Sequence, residues 1–180
     1  MIPRLETERL IMREWRHGDL DAFAPFLADE EVVRYLSGST SDRNESWRNI
    51  AGSAGHWLLR GYGTWAVERK SDGALIGKVG LIYPEGWPGL EVGWTLGRPY
   101  WGQGYATESA RAAMNYGFLT QGVDKLLSLI NVDNTNSQRV AERLGETRGP
   151  EHDLVVVGKV HKIHIWSITR EEWRKRAVLP

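Results

Sequence analysis

The sequence contains no cysteine among its 180 residues. That absence excludes disulfide bonds, thiolate nucleophiles and zinc sites built from cysteine. No apolar run approaches the roughly 18 residues that a membrane span needs, and the opening residues lack the apolar stretch of a signal peptide. We therefore expect a soluble protein of the cytoplasm.

An excess of charge of one sign is absent as well, because 23 Lys and Arg residues balance 23 Asp and Glu residues. A chain without net charge has no global field to attract nucleic acid or an anionic membrane surface. The length and the 41% hydrophobic content suit one globular domain. We expect a single domain over residues 1–180, with no nucleic-acid or membrane partner, as a monomer or a homodimer.

Hydrophobic periodicity predicts an α+β chain. Strands are expected at residues 9–15, 64–69, 74–83, 90–96 and 125–132, and two more around Gly158 and Lys159. Helices are expected from Asp19, over residues 42–59 and 105–119, in a short segment ending at Gly145, and as one turn after the last strand. The turn signal Ser-Asp-Gly at residues 71–73 makes 64–69 and 74–83 a hairpin.

A glycine-rich stretch at residues 99–113, PYWGQGYATESARAA, separates a predicted strand from a predicted helix. The N-terminus of a helix offers unpaired backbone N–H groups and a partial positive charge, which together hold phosphate oxygens. Gly102 and Gly104 let the backbone approach a diphosphate, while Ala106 keeps the first turn small and Thr107 adds a hydroxyl. Taken alone, the stretch is also typical of a plain turn before an amphipathic helix. The glycine patterns of nucleotide hydrolases and dinucleotide-binding proteins are absent.

The longer sequence around this stretch is a more specific signal than the glycine-rich stretch alone. The segment WTLGRPYWGQGYATESARAAMNYGF, followed after a strand by NVDNTNSQRVAERLG, resembles the Gcn5-related N-acetyltransferase (GNAT) superfamily. More narrowly, it resembles the branch that acetylates the N-termini of ribosomal proteins, the ribosomal-protein-alanine N-acetyltransferases. The opening LETERLIMREWRHGDLDAF and the closing SITREEW are similar to that branch too, so the resemblance covers nearly the whole chain.

The resemblance implies a GNAT fold, with a mixed, mostly antiparallel sheet of about seven strands flanked by helices. Its fourth and fifth strands, residues 90–96 and 125–132, splay apart. It also implies direct transfer of an acetyl group from acetyl-CoA, the co-substrate, to a primary amine in a ternary complex. The amine belongs to a protein N-terminus or a small molecule. A protein that keeps the acyl-CoA cleft as a non-catalytic sensor or interaction module is the alternative.

By the same resemblance, the diphosphate of the cofactor lies against Trp101, Gly102, Gln103, Gly104, Tyr105 and Ala106, with Thr107 adjoining. The family pattern is Gln or Arg, two residues, Gly, one residue, then Gly or Ala. Gly104 and Ala106 match it, whereas the first position holds Trp101. The pantetheine arm pairs with the backbone of Trp94, Thr95 and Leu96, as an added strand would, and contacts Asn134.

Two residues are predicted to be catalytic. Glu91, on the fourth strand, is the general base that takes a proton from the amine, directly or through water; Glu68 and His56 are weaker alternatives. If Glu91 has no catalytic role, we expect it to be an exposed charge on a strand face. Ser137 completes the family's Asn-x-x-Ser and is the acid beside the departing sulfur. If Ser137 has no catalytic role, we expect this polar segment only to start a helix, with Thr135 and Gln138 as its capping box.

The acceptor site is predicted between the loop around Trp87 and the helix that carries Trp47 and Trp57, with a partly apolar lining. His161 and His164 are three residues apart on a predicted strand and so point to opposite faces. They make a poor pair of ligands, and we expect no metal.

Overall fold

The computed structural model describes residues 1–156 and 158–177. Residue 157 and residues 178–180, which the predicted domain includes, lie outside this range. The strands are β1 Leu5–Glu6, β2 Leu10–Arg13, β3 Thr64–Arg69, β4 Leu75–Ile82, β5 Glu91–Leu96, β6 Lys125–Asn131, β7 Thr147–Val156 and β8 Lys159–Thr169. The α-helices are α1 Asp19–Leu27, α2 Glu30–Val33, α3 Arg43–Arg60, α4 Tyr105–Leu119, α5 Thr135–Leu144 and α6 Arg170–Ala177, and a 3-10 turn spans Arg98–Tyr100.

One mixed sheet joins all the described strands in the order β1-β2-β3-β4-β5-β6-β8-β7. Every neighbouring pair is antiparallel except β5 and β6, which are parallel. This confirms the predicted fold class and its mostly antiparallel sheet. The expected count of about seven strands is one too low, because the two-residue β1 pairs with Met12 and Ile11 at the edge. Two residues are too short to show alternation.

Two helices differ from the prediction. The four-residue α2 was not predicted, since one turn is too short for helical periodicity; Asp29 caps it by accepting a hydrogen bond from the Glu31 N–H. Helix α6 has eight residues, about two turns rather than one. Thr169 and Glu172 hold its start through reciprocal hydrogen bonds, and the Trp173 ring stacks on Phe118 at 5.1 Å between centroids.

The main core lies between α4 and the sheet. Ala110 and Ala113 on α4 are fully buried, and a Cβ on Gly117 would lie 3.2 Å from the Leu81 side chain. The small residues therefore let α4 approach the sheet closely, as the sequence predicts. On the opposite face, Phe23 and Leu27 of α1 form a second cluster with sheet residues.

Strands β5 and β6 separate soon after they meet. Their register contains one pair, Glu91 with Leu127. The splay predicted between residues 90–96 and 125–132 is thus present. It opens a cleft in the middle of the sheet, bordered by α2, α3, α4 and α5.

Candidate active site

The separation of β5 from β6 is stabilised by two side chains. The Leu127 N–H donates to the Leu90 carbonyl at 2.9 Å, and a continued parallel ladder would next join the Leu129 N–H to the Val92 carbonyl. Instead, the Leu129 N–H donates to Glu91 Oε1 at 3.3 Å. The Val92 carbonyl accepts a hydrogen bond from Ser128 Oγ at 2.9 Å. Glu91 and Ser128 therefore satisfy the backbone groups at the point where the strands part.

The next backbone groups of β5 point into the gap. Because the Leu90 carbonyl faces β6 and direction alternates along a strand, the backbones of Trp94 and Leu96 face the gap as well. The Leu96 carbonyl accepts a hydrogen bond from the Trp101 indole at 2.8 Å. The backbone of Thr95 faces β4, and its buried side chain lines the cleft. The Trp94 N–H and carbonyl and the Leu96 N–H remain directed toward an incoming strand-like ligand.

Two cavities meet at this gap. The first, of about 510 Å³, contains Glu91, and the second, of about 630 Å³, contains the glycine-rich loop. Both volumes fall in the usual range of small-molecule sites. The residues that line both cavities are Tyr35, Leu36, Trp94, Thr95, Asn134 and Ser137.

The second cavity has the features of a phosphate site. Gly104 is the N-cap residue of α4 with φ +82°, and it provides no side-chain cap for the first N–H groups of the helix. Gly102 is also left-handed, at φ +72°. Thr107 Oγ1 is buried and has no hydrogen-bond partner among the described residues. Unpaired helix N–H groups and a free hydroxyl are suitable donors for a diphosphate.

The predicted diphosphate residues line this cavity with one exception. The lining includes Trp101, Gly102, Gly104, Tyr105, Ala106 and Thr107, together with Trp94, Thr95, Leu96, Asn134 and Ser137. Gln103 is not part of it. Its side chain donates to the Pro99 carbonyl at 2.9 Å, so it stabilises the loop from outside the cavity.

Arg9, which was not predicted, supports the loop from the N-terminal part of the chain. Its guanidinium donates to the Gln103 carbonyl at 2.9 Å and to Glu108 Oε2 at 2.7 Å, and it lies 4.5 Å from the centre of the Tyr105 ring. Glu108 also accepts from Thr7 Oγ1 at 2.6 Å. Residues about a hundred positions apart leave no local signal in the sequence.

Glu91 is buried at 9% exposure and lines the first cavity. This excludes the structural alternative of an exposed charge. Burial raises the pKa of its carboxyl to about 7, against hydrogen bonds from Trp87 and Leu129 that favour the charged form. A carboxylate with such a pKa is suited to accept a proton near neutral pH.

Trp87 restrains that carboxylate. Its indole N–H donates to Glu91 Oε2 at 2.5 Å, and its ring lines the first cavity. The loop around Trp87 was expected to shape the acceptor site, but the bond to Glu91 was not predicted. Trp47 and Trp57, expected beside it, are not among the lining residues: Trp47 is 54% exposed and Trp57 is buried in the core.

A second buried carboxyl lies behind the gap. Ser128 Oγ is 3.0 Å from Glu146 Oε1 as well as 2.9 Å from the Val92 carbonyl. A hydroxyl has only one proton to donate, so both contacts are hydrogen bonds when Glu146 is protonated. Burial raises the pKa of Glu146 to about 8, against the hydrogen bond with Ser128 and with a smaller contribution from the charge of Glu91. Ser128 and Glu146 were not predicted, although a serine within the apolar run KLLSLIN was a signal.

Ser137 lies where the two cavities join. Its hydroxyl accepts a hydrogen bond from the Trp94 indole at 3.3 Å. The segment does begin helix α5, but the expected capping box of Thr135 and Gln138 is absent. Asn134 caps α5 by accepting from the Ser137 N–H at 3.1 Å, and Gln138 donates to the Val132 carbonyl at 2.8 Å. The Ser137 hydroxyl and the Asn134 amide N–H₂ are left to face the cavities.

The two weaker candidates for the base are otherwise engaged. Glu68 accepts from Arg13 Nε at 2.8 Å and lines neither cavity. His56 lines the first cavity, but its Nδ1 is 2.7 Å from the Tyr62 carbonyl and its Nε2 accepts from the Tyr83 N–H at 3.0 Å. Both ring nitrogens are therefore in use, and His56 has no free lone pair for a substrate proton.

His161 and His164 do not form a cluster of ligands. His161 lies opposite Leu154 on β7, and His164 lies opposite Ile130 on β6. Within residues 1–156 and 158–177, no group of three or more His, Asp or Glu side chains is placed to hold a metal ion. In the same part of the chain, no helix combines the length and apolar character needed to cross a membrane.

The fold, the splayed strands β5 and β6, and the unpaired N–H groups at the N-terminus of α4 are together typical of an acetyltransferase of the GNAT class. The family model for the acetyltransferase (GNAT) domain matches residues 9–147, and the chain belongs to this family. The family generally uses acetyl-CoA as co-substrate and acts on amine acceptors.

Among individual relatives, the chain is similar to the Bacillus subtilis protein YkkB. The two are 34% identical over 151 aligned residues, which cover 79% of this chain and 84% of YkkB. It is 26% identical to the N-acetyltransferase YoaA of the same organism, over 81% and 83% of the two chains. A crystal structure of an acetyltransferase from Agrobacterium tumefaciens superposes on this chain with a TM-score of 0.81 and 28% sequence identity. The superposition covers 93% of this chain and 95% of that one.

A ribosomal-protein-S5-alanine acetyltransferase from Vibrio fischeri superposes with a TM-score of 0.75 at 17% identity, covering 96% of this chain and 99% of that one. At this identity the similarity concerns the fold alone.

Proposed function

We propose that this acetyltransferase moves an acetyl group from acetyl-CoA to a primary amine by direct transfer in a ternary complex. The observation that supports this most is the meeting of the two cavities at Trp94, Asn134 and Ser137. One cavity offers donors for a diphosphate, and the other holds a carboxyl whose pKa is near 7. The thioester would lie where they join.

On the cofactor side, the N-terminus of α4, with Gly102, Gly104 and the Thr107 hydroxyl, would hold the diphosphate. The Trp94 carbonyl, the Leu96 N–H and the Asn134 amide would pair with the pantetheine arm as an added strand. The indole of Trp101 is already bonded to the Leu96 carbonyl, so its proposed role is to shape the entrance of the arm.

On the acceptor side, Glu91 takes one proton from the ammonium, directly or through a water molecule. The amine nitrogen attacks the thioester carbonyl carbon, a C–N bond forms and the C–S bond breaks. The Trp94 N–H is the backbone donor available to the developing oxyanion. The Ser137 hydroxyl gives its proton to the departing thiolate and regains one from the amine nitrogen, which loses its second proton as the C–S bond breaks. The products are the N-acetylated amine, coenzyme A and the proton on Glu91.

Thiol release measured with dithionitrobenzoate over a panel of primary amines tests this function. We expect release of coenzyme A that depends on the amine, and an increase in melting temperature with acetyl-CoA alone. Bound ligand present at about a hundredfold excess over its Kd stabilises a protein by about 2.7 kcal/mol. Stabilisation without turnover on any amine would favour the non-catalytic module. No stabilisation at millimolar acetyl-CoA would contradict the cofactor assignment.

A single domain over residues 1–180 and a cytoplasmic location remain predictions. The choice between monomer and homodimer also stays open, as does that between a protein N-terminus and a small-molecule amine. Residues that line the first cavity narrow the choice of amine.

A further inference from the structure

Lys78 points into the acceptor cavity because of a β-bulge. In the pairing of β3 with β4, Val67 lies opposite Gly77 and Glu68 lies opposite Leu75, which leaves one extra residue on β4. Gly77 has φ +155°, and a Cβ there would lie 2.2 Å from the Thr95 carbonyl oxygen. Only glycine fits this position. A bulge changes the direction of the side chains that follow it, and Lys78 lines the first cavity.

The ammonium of Lys78 has a neutral partner but no acidic one. Nζ donates to Asn49 Oδ1 at 2.7 Å and lies 6.0 Å from the centre of the Phe23 ring. Among the described residues, no carboxylate oxygen is within 4.0 Å of it. Burial lowers the pKa of Lys78 to about 8, since water is withdrawn from the cation.

A partly buried cation without a counter-ion is unfavourable unless a ligand supplies the anion. The adjacent amide strengthens this reading. Because the Asn49 oxygen accepts from Lys78, its N–H₂ group is left as a donor beside the ammonium. One charged donor and one neutral donor side by side match the two oxygens of a carboxylate.

Lys78 and Glu91 lie on the same face of the sheet, at opposite ends of the cavity floor. Lys78 pairs with Thr95, and Glu91 pairs with Ile82. The two pairs are four residue steps apart, about 14 Å between their Cα atoms along the sheet. The carboxylate of Glu91 leans toward Lys78, because its Oε1 is the nearest neighbour, at 3.8 Å, of a Cβ added to Gly93. Because Gly93 has no side chain, the floor is open between the carboxylate and the ammonium, beside the point where the cavities join.

The remaining lining limits the ligand further. It contains no arginine and no lysine besides Lys78. The ring nitrogens of His56 are both engaged, whereas Nε2 of His161, the other imidazole of the lining, has no hydrogen-bond partner among the described residues. A single ammonium suits one carboxylate better than a doubly charged phosphate. Much of the wall is apolar and includes Leu27, Ile82, Trp87, Leu129, Leu154 and Ile163.

We propose that the acceptor is a small amine that also carries a carboxylate, an amino acid with an apolar side chain. Its carboxylate binds Lys78 and the Asn49 amide, its amine faces Glu91 and the junction of the cavities, and its side chain contacts the apolar wall. The inference rests on the proposed function for the role of the amine. The carboxylate site itself can be tested without turnover.

The test measures binding of the two possible product analogues, N-acetyl-L-leucine and N-acetyl-L-leucinamide, by calorimetry in the presence of coenzyme A. The proteins are the wild type, Lys78→Met, Lys78→Arg and the control Lys125→Met, which removes an exposed lysine outside both cavities. We expect the wild type and the control to bind the carboxylate about tenfold more tightly than the amide, the usual effect of a charged hydrogen bond. Lys78→Met should abolish the preference and leave amide binding unchanged, and Lys78→Arg should retain part of it.

Equal binding of the two analogues by the wild type would overturn the inference, as would an equal loss of both in Lys78→Met. Acetylation of L-leucine and of 3-methylbutylamine, which lacks the carboxylate, is compared in the same proteins. For each protein we take the ratio of the two acetylation rates. Comparing this ratio between variants cancels the difference in basicity between the two amines. A carboxylate preference in binding without acetylation of any amine would refute the proposed function and leave the carboxylate site standing. Acetylation of both amines without a preference for the carboxylate would refute the carboxylate site and leave the proposed function standing.

Discussion

Replacing Glu91 by glutamine removes the proposed base while preserving its size and shape. The variant has two separate consequences, one for stability and one for rate. Both derive from the burial of the carboxyl, which raises its pKa from 4.5 to about 7. In the folded protein the group therefore keeps its proton over a range in which the unfolded chain has already lost it.

The sign and size of the stability effect follow from linkage. Because the folded pKa is the higher one, the wild type loses stability as pH rises from about 4.5 to 7, by about 3 kcal/mol in all. Glutamine does not titrate. The unfolding free energy of Glu91→Gln, relative to wild type, should therefore increase by about 2 kcal/mol between about pH 5 and pH 7.5. The titration of Glu146 also lowers stability between about pH 4.5 and 8, but Glu146 is present in both proteins, so its effect largely cancels from the difference.

Urea unfolding of both proteins at the two pH values measures this difference. A difference in unfolding free energy that does not change with pH would show that Glu91 titrates normally and would refute the reasoning from burial. The rate of acetyl transfer at neutral pH should fall by roughly 10²–10⁴-fold, and the rising limb of the pH–rate profile should move or vanish. A variant that keeps the wild-type rate from about pH 6 to pH 9 would remove Glu91 from the mechanism.

Three further substitutions test the site. Trp87→Phe deletes the hydrogen bond that favours the charged carboxylate, so the pKa of Glu91 should rise further and the rising limb of the pH–rate profile should shift to higher pH; the control Trp47→Phe, at an exposed ring, should not shift it. Ser137→Ala should lower single-turnover rates with nearly unchanged acetyl-CoA affinity and melting temperature, since Asn134 caps the helix; an unchanged rate would exclude the serine from the chemistry. Gly104→Val should abolish the thermal shift caused by acetyl-CoA, whereas Gly73→Val, with a similar φ of +71°, should lose stability but keep that shift; normal binding by the first variant would contradict the loop assignment.

Local patterns in the chain were sufficient for most of the fold. The Ser-Asp-Gly turn between β3 and β4, the alternation along β5 and the small residues of α4 depend on neighbours a few positions away. The elements that were missed or mis-sized are short or terminal. The two-residue β1 and the single turn of α2 exist because of pairing and capping rather than periodicity.

The cofactor side of the site was predictable for the same reason. Gly102, Gly104 and Thr107 lie within one loop and one helical turn, and their chemistry depends on backbone that is contiguous in sequence. Asn134 and Ser137 are similarly local. The structure changed the details, by assigning the cap of α5 to Asn134 and placing the Gln103 side chain outside the cavity.

The sequence by itself thus determined the family, the order of most elements and most of the residues that line the second cavity. Only the tertiary structure decided which charged groups are buried and what they contact. The pKa of Glu91 depends on Trp87 and on the backbone of β6. The raised pKa of Glu146 results from its burial and from the charge of Glu91, and the direction of Lys78 depends on a bulge fixed by its contact with β5. Desolvation and hydrogen bonding act through space, so the chemistry of the acceptor side appears only when distant segments come together.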